Sequence, residues 1–311
     1  MRVDLFILNY NGEKYVLPCI DSFLQAMRNS KHDCQLIVID NSSTDQSVAS
    51  IKNRYPSVRV MSMPNRVLCS FNDVVLQSKA DIVFLLNNDL RATPECIDPM
   101  VDIFVTHPDT FLVAPKSYSM DGSFEGGKST AFISLGGFGT TCHFKGFEEH
   151  ANRFGYTFAT GFGAFDRKKF IELKGYDDLY LPGRLEDSDI ALRAWRMGWK
   201  CFYQPLSVIH HIGAKSFDER FSKKGTLKLA HRNSFLFFWK NISDKPYWLA
   251  HIFFVIPRIF YMLLKGDLGF FTGFLEALGK IKIVWHKRRE NKLIKYSLSD
   301  RQVLELFRHE N

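Results

Sequence analysis

Over the first 115 residues, short β-branched runs alternate with helical stretches, and no other feature restricts the fold as much. Residues 3–8 read as a strand, 13–27 as a helix, and 35–40 (QLIVID) as a second strand. Asn41-Ser42-Ser43-Thr44-Asp45 is rich in N-cap residues, and a helix to Arg54 follows. Residues 58–62 form a third strand, 67–79 a helix and 81–86 (DIVFLL) a fourth strand. Thr93-Pro94-Glu95 opens another helix, with Thr93 as cap and Pro94 at its first position, before a strand at 111–115. This spacing predicts right-handed βαβ units and an α/β fold with a mostly parallel sheet. The strands are near-continuous apolar runs, as a sheet covered on both faces requires.

The pattern then breaks. Residues 116–156 crowd Gly122, Gly126, Gly127, Gly136, Gly137 and Gly139 among aromatics, which predicts an irregular segment with short antiparallel strands. A strand is expected at 157–165, helices at 166–173 and 185–198, and a strand at 200–204. From about 227 the chain becomes helical, aromatic and apolar. Residues 247–264 are 18 long, near the minimum for a membrane span. His251, Pro257 and Arg258 interrupt them, and a central arginine costs about 2.5–3.5 kcal/mol on insertion scales. With a second apolar segment at 268–278, the expectation is helices lying in the bilayer interface. The chain thus divides into an α/β domain over 1–225 and a helical, amphipathic, membrane-associating region over 226–311.

Charge supports that division. The net charge is +8, yet residues 280–295 hold seven Lys and Arg against Glu290 alone, a net +6. The basic tail therefore points to an anionic membrane surface, and the lack of a basic stripe elsewhere argues against nucleic acid. Six cysteines lie far apart without a C-x-x-C pair, which disfavours a structural zinc site and fits reduced thiols. The N-terminus lacks the basic and long apolar regions of an export signal. The expected location is therefore cytoplasmic, peripheral on the inner face of the cell membrane.

In an open α/β sheet, ligands bind outside the carboxyl ends of the strands. Strand one ends in Asn9-Tyr10-Asn11, strand two in Asp40-Asn41 and strand four in Asn87-Asn88-Asp89. Parallel strands bring all three to one edge. Asparagine and aspartate also simply end strands and start turns, but three such coincidences favour a crevice. No G-x-G-x-x-G follows a strand and no P-loop occurs, so a bound diphosphate needs another counter-charge. A divalent cation held by carboxylates, with Asp89 best placed, supplies one. Further on, Glu186, Asp187 and Asp189 open a helix, where the helix dipole alone would favour them. One of them facing the crevice could instead act as a general base. His210-His211 follows a strand and reads either as packing or as a metal ligand.

Taken in order, NYNG (9–12), VIDNSSTD (38–45), LLNND (85–89), TGFGAF (160–165), LEDSDIALRAWRMGW (185–199) and VIHHIGAKS (208–216) resemble the family-2 inverting glycosyltransferases of the GT-A fold. The likeness is to the bacterial, rhamnosyltransferase-like branch that builds surface polysaccharides such as O-antigen, and it covers residues 1–220. It implies a nucleotide-sugar donor, UDP- or dTDP-linked, and a lipid-linked or glycan acceptor. Asn9, Tyr10, Asn11, Asp40 and Asn88 would hold the nucleotide, with Asn65 and Asn72 contributing from a following loop. Asp89 and His210 would bind Mg²⁺ or Mn²⁺. Asp187 would be the catalytic base, and Thr160, Gly161 and Glu186 would lie near donor sugar and acceptor.

Two departures stand out. Asn87 replaces the first acid of the family's D-x-D pattern, so fewer charged metal ligands are present. The segment from Asn65 to Asn72 keeps the asparagines and loses the glycines usual between them. These changes leave a nucleotide-sugar or glycan-binding protein with a degenerate site as an alternative. A sugar nucleotidyltransferase is a further one, although 9–14 (NYNGEK) offers only one glycine and one lysine for a triphosphate.

Overall fold

The computed structural model describes residues 1–142, 150–212 and 215–307. The chain forms two compact units, neither a continuous stretch. The first comprises Met1–Ser129, Gly146–Tyr176 and Trp199–Gly213, the second Thr130–Lys145, Asp177–Gly198 and Ala214–Asn311.

The first unit is built on a ten-stranded sheet. Strands β1 (Arg2–Asn9), β2 (Asp33–Asp40), β3 (Arg59–Ser62) and β4 (Ile82–Asn87) run parallel, in the order β4-β1-β2-β3. Helices α1 (Val16–Asn29), α2 (Ser47–Arg54) and α3 (Ser70–Gln77) make the crossovers. Val3, Leu5, Ile7, Val38, Phe84 and Leu86 pack with Cys19, Ile20 and Phe23 of α1 into one core. Burial of such side chains stabilises by about 1.5–3 kcal/mol each.

After β4 the chain doubles back as β5 (Leu90–Ala92), then enters α4 (Ile97–Thr106) and β6 (Thr110–Ser119). The helix expected to open at Thr93 begins one turn later. The Thr93 hydroxyl donates to the Val208 carbonyl instead of capping a helix. Short β7 (Phe124–Gly126) pairs antiparallel with β6. Of the strand expected over 157–165 only the end forms, as β11 (Gly163–Asp166), and the short β10 (Gly155–Tyr156) stops before it. Thr157–Gly161 leaves the ladder because side chains bond its backbone: Ser129 Oγ, for one, donates to the Ala159 carbonyl at 2.9 Å. Helix α5 (Arg167–Glu172) is capped by Asp166. Strand β12 (Lys200–His211) runs well past the expected end at Gln204, through an irregularity before Val208, and pairs parallel with β6. The long ladders are parallel, and the antiparallel ones are short.

The second unit holds the hairpin β8 (Thr130–Ser134) and β9 (Gly137–Thr141) and the helices α6 (Glu186–Arg196), α7 (Lys215–Asn241), α8 (Lys245–Leu264), α9 (Leu268–Gly279), α10 (Ile281–Leu293) and α11 (Asp300–Leu306). Helix α7 breaks at Ser222, whose φ is 58°. Its C-terminal half is the spine of the unit, with Phe235, Leu236, Phe237, Phe238 and Trp239 all buried. Phe237 stacks on Phe138 of the hairpin at 3.8 Å.

The polar interruptions of α8 face the protein. His251 Nδ1 donates to the Gly136 carbonyl at 2.6 Å, and its Nε2 accepts from Trp239 Nε1 at 2.9 Å. That arrangement fixes a neutral tautomer, and burial lowers its pKa. Gly136 takes φ +70° and meets the backbone of His251 so closely that a Cβ would fall 2.5 Å from its Cα. Arg258, two turns along, lies over the Phe270 ring at 4.9 Å. The outer face of α8 is bare hydrocarbon: Leu249, Ile252, Phe253, Ile256, Phe260 and Leu264 are exposed, Leu264 by 88%.

The basic tail is less uniform than its sequence implies. Lys287 pairs with Asp177 and Asp178, Arg288 donates to the carbonyls of Trp239 and Ile242, and Lys280 donates to that of Leu179. These three hold the unit together, while Lys282, Arg289, Lys292 and Lys295 are exposed.

Candidate functional site

Strand register builds one end of the site. Asn9 pairs with Asp40 and Leu8 with Asn87, so the polar ends of β1, β2 and β4 lie side by side. Asn9 itself does not face a ligand. It is fully buried, its Nδ2 donates to Ser43 Oγ and Ser47 Oγ, and its Oδ1 accepts from Asn88 Nδ2 at 2.9 Å. It therefore ties three chain segments together, and the amide of Asn88, also expected at the nucleotide, is part of that tie. Gly12 sits against this pair: a Cβ there would fall 2.0 Å from Asn88 Nδ2.

Around that knot, Asn11 Oδ1 accepts from Thr44 N at 2.7 Å, and Asp40 Oδ1 accepts from Ser43 N at 3.0 Å. Asp45 receives the amide of Glu13 and the amide and hydroxyl of Ser47. Burial opposes its charge, but those hydrogen bonds outweigh it and lower its pKa. Tyr10 is 39% exposed at the same edge. Asn65 Oδ1 accepts from Val67 N and shapes its own loop. Asn72 brackets the backbone of Tyr176 with both amide atoms, each at 2.9 Å. Asn72, expected to contribute to nucleotide binding, thus also fixes the backbone at Tyr176.

Asp89 lies in the turn between β4 and β5. It is buried, its carbonyl accepts from Ile212 N, and its Oδ1 has no hydrogen-bond partner. His211, not His210, stands beside it, with Nε2 3.4 Å from Asp89 Oδ2. Both histidines are in β12, where successive side chains point to opposite faces. His210 therefore turns away and stacks on Tyr118. His211 Nδ1 lies 2.9 Å and 3.0 Å from the two oxygens of Glu125, and Ser117 Oγ donates to Glu125 at 2.8 Å. Burial works against a charged His211, but hydrogen bonds to Asp89 and Glu125 raise its pKa to about 9.

Oxygen and imidazole donors of this kind fit a divalent cation. An orphaned buried oxygen costs about 1–3 kcal/mol until something pairs with it, and Asp89 Oδ1 is such an atom. Among the described residues no cluster of three His, Cys, Asp or Glu could hold a metal alone, so further ligands would come from a bound phosphate and water. The residues 160–162 approach the same place. Phe162 meets the His211 ring edge-on at 5.4 Å, the Thr160 hydroxyl donates to the Phe162 carbonyl, and a Cβ on Gly161 would meet nothing within 4 Å.

The acidic segment belongs to the second unit. Arg184 and Leu185 both take left-handed conformations, φ 79° and 69°, just before α6. Asn233 Nδ2 lies 2.7–2.8 Å from the carbonyls of Tyr180, Gly183 and Arg184, and Arg232 Nη2 donates to that of Leu181. Asp189 is fully buried and paired with Arg193 and Lys240, so it serves the fold. Glu186 and Asp187 remain. Burial, then the neighbouring Asp187, pushes the Glu186 carboxyl up to about 8, and its Oε2 has no partner. Asp187 is also raised by burial, but its Oδ1 accepts from the amide and hydroxyl of Ser188, which favour its charge.

Sequence reasoning missed Glu125, Ser117, Asn233 and Lys240. Only His211 carried a signal: as the neighbour of His210 in a strand it takes the opposite face. Of the last sequence segment, 208–216, Gly213 and Ala214 lie outside the described residues.

Comparison with known proteins adds a lineage. The family model described as Glycosyl transferase family 2 matches residues 4–170. No curated protein matches the chain in sequence. Among solved structures, GalNAc-T7 with UDP, GalNAc and Mn²⁺ is similar with a TM-score of 0.57 and 16% identity, over 78% of this chain and 48% of that one. The chain thus spans about half the length of that relative. S. aureus TarS 1-349 is similar with a TM-score of 0.56 and 12% identity, over 100% of this chain and 92% of that one. The same protein in complex with UDP gives 0.51 and 15%, over 76% and 66%. At these identities the likeness is one of fold.

Proposed function

The chain belongs to glycosyl transferase family 2, and on that premise we propose that it is a metal-dependent inverting glycosyltransferase. It moves a sugar from a UDP- or dTDP-sugar to a lipid-linked or growing cell-surface glycan. The observation that carries this reading is the buried, unpartnered Oδ1 of Asp89 beside His211, at the carboxyl edge of the sheet.

Asp89 and His211 would hold Mg²⁺ or Mn²⁺. When bound, such a cation offsets the charge that develops on a departing nucleoside diphosphate. Tyr10, Asn11 and Asp40 line the same edge and bind base and ribose, while Thr160-Gly161 lies toward the donor sugar. Asp187 takes the proton of the acceptor hydroxyl as that oxygen attacks the anomeric carbon and the bond to the diphosphate breaks. A single displacement inverts the centre. Asp187 is preferred to Glu186 as the base because the Ser188 hydrogen bonds favour its ionised form, while Glu186 keeps its proton at neutral pH. The exposed apolar face of α8 and the exposed lysines and arginine of the tail support a place on the inner face of the cell membrane.

A screen of nucleotide-sugars with Mn²⁺, read by release of nucleoside diphosphate, tests the reading. One donor should turn over, and Asp187→Asn should lower turnover at least about 10²-fold while donor binding persists. Undiminished turnover in that variant removes the base assignment. Binding without turnover across the whole panel favours a nucleotide-sugar-binding protein instead.

A further inference from the structure

We infer that Glu125 is a positioning residue for the cation site. It holds His211 in the tautomer and ring orientation that turn Nε2 toward the metal. This rests on the reading of Asp89 and His211 as metal ligands.

The geometry is a relay. Ser117 Oγ donates to Glu125 Oε2, Glu125 takes the Nδ1 side of His211 with both oxygens, and the far side of the ring faces Asp89. A neutral imidazole that donates Nδ1–H to a carboxylate presents the lone pair of Nε2 at the opposite end, and a cation that binds there takes the place of the second proton of the charged ring. A histidine bound to metal is ordinarily oriented by such a partner, which also raises its basicity as a ligand. Phe162 packs against the same ring, centroid to centroid at 5.4 Å. Glu125 is only partly exposed, so its two oxygens are held against the ring rather than turned out to water. The Nε2–Oδ2 separation of 3.4 Å leaves the two groups side by side, placed to share one ion.

The residue has no role in substrate chemistry, so its removal should act through metal affinity. Mn²⁺ alone, and then Mn²⁺ with UDP, would be titrated against the full chain, with unbound Mn²⁺ read by electron paramagnetic resonance. Asp89→Asn should abolish binding. Glu125→Ala should weaken it about 10–100-fold, the range for loss of an outer-shell partner. Glu125→Gln should weaken it less, because its amide oxygen still accepts from Nδ1–H, and this near-isosteric change spares the fold. In turnover, Glu125→Gln should raise the Mn²⁺ concentration for half-maximal rate and leave kcat at saturating Mn²⁺ near the parent value.

The failures separate. If the parent protein binds no Mn²⁺, or Asp89→Asn binds it as tightly as the parent, the metal reading is wrong and this inference falls with it. If Asp89→Asn loses the metal while Glu125→Ala and Glu125→Gln bind it like the parent, the metal reading stands and Glu125 has no positioning role.

Discussion

The ammonium of Lys240 lies 2.7 Å from Asp189 Oδ1 and 2.6 Å from Asp177 Oδ2, with the lysine 2% and Asp189 0% exposed. Three such charges are withdrawn from water only because each is answered. Arg193 also pairs with Asp189, Asn241 Nδ2 donates to it, and Lys287 completes the set at Asp177. The cluster fastens α7 and α10 to the segment that opens α6, the helix carrying Asp187.

Removing one member should therefore cost more than a surface ion pair. Lys240→Met leaves two buried carboxylates undercompensated, and breaking a buried pair costs about 3–5 kcal/mol. Burial opposes the charge of both acids, but the Lys240 ammonium, ahead of their other partners, holds both carboxyls below the usual range. Depressed carboxyls stabilise the fold above their unfolded pKa of about 3.9 and lose that contribution as pH falls through the folded one. Urea unfolding should show the full loss at pH 7 and a smaller one near pH 3. An equal loss at both would place the effect in packing.

Glu186 has the opposite sign. Its folded pKa is raised from 4.5 to about 8, so between those values the folded chain keeps a proton that the unfolded chain has released. Stability is fully present below pH 4.5 and is lost as pH rises through about 8. Glu186→Gln cannot ionise. Its melting temperature should exceed that of the parent increasingly as pH rises from 4.5 toward 8, with little difference at the acid end. A constant offset across that window would show that Glu186 does not carry the proton.

How far the residues announced this arrangement depends on the reach of each signal. The parallel strands were legible because their apolar runs and strand ends are local, and register then brings Asp40 beside Asn9. The same local pattern did not reveal the internal hydrogen bonds of Asn9 and Asn72, because an asparagine at a strand end or in a loop looks alike whether it faces a ligand or a backbone. The pair His210-His211 was legible, but which ring stands beside Asp89 was not, because that depends on how β12 continues past Gln204. Glu125 stands in a glycine-rich stretch whose pairing no periodicity reveals. Lys240 lies 51 residues from Asp189, and neither end signals the other.

Asn233 offers a test of the loop before α6. Its amide nitrogen serves three carbonyls of residues 180–184, and consecutive left-handed residues there cost about 1–3 kcal/mol each to maintain. Asn233→Ala should destabilise by about 1–3 kcal/mol per carbonyl left unpaired. Asn233→Asp should be worse, because it sets acceptors against acceptors. If Asp187 is the base, both variants should lower kcat while the donor KM stays near the parent value. A change confined to KM would separate this loop from proton transfer.

The outward face of α8 makes the final prediction. A soluble helix turns its polar side to water, but here His251 and Arg258 face the protein while Phe253 is 71% and Phe260 63% exposed. Leu268, Phe271, Leu275 and Leu278 of α9 are exposed as well. Such a surface suits hydrocarbon at a bilayer interface, and the exposed cations Lys282, Arg289, Lys292 and Lys295 suit anionic headgroups, at about 1 kcal/mol each. The full chain should sediment with vesicles containing phosphatidylglycerol, and less with pure phosphatidylcholine. Phe253→Glu with Phe260→Glu should abolish both, without loss of fold, since both rings are exposed. Reversing the four cations to glutamate should remove only the preference for anionic lipid. Deleting 280–311 would not isolate the charge, because Lys287 and Arg288 are built into the unit. Sedimentation unchanged by the paired phenylalanine substitutions would mean that this face meets something other than lipid.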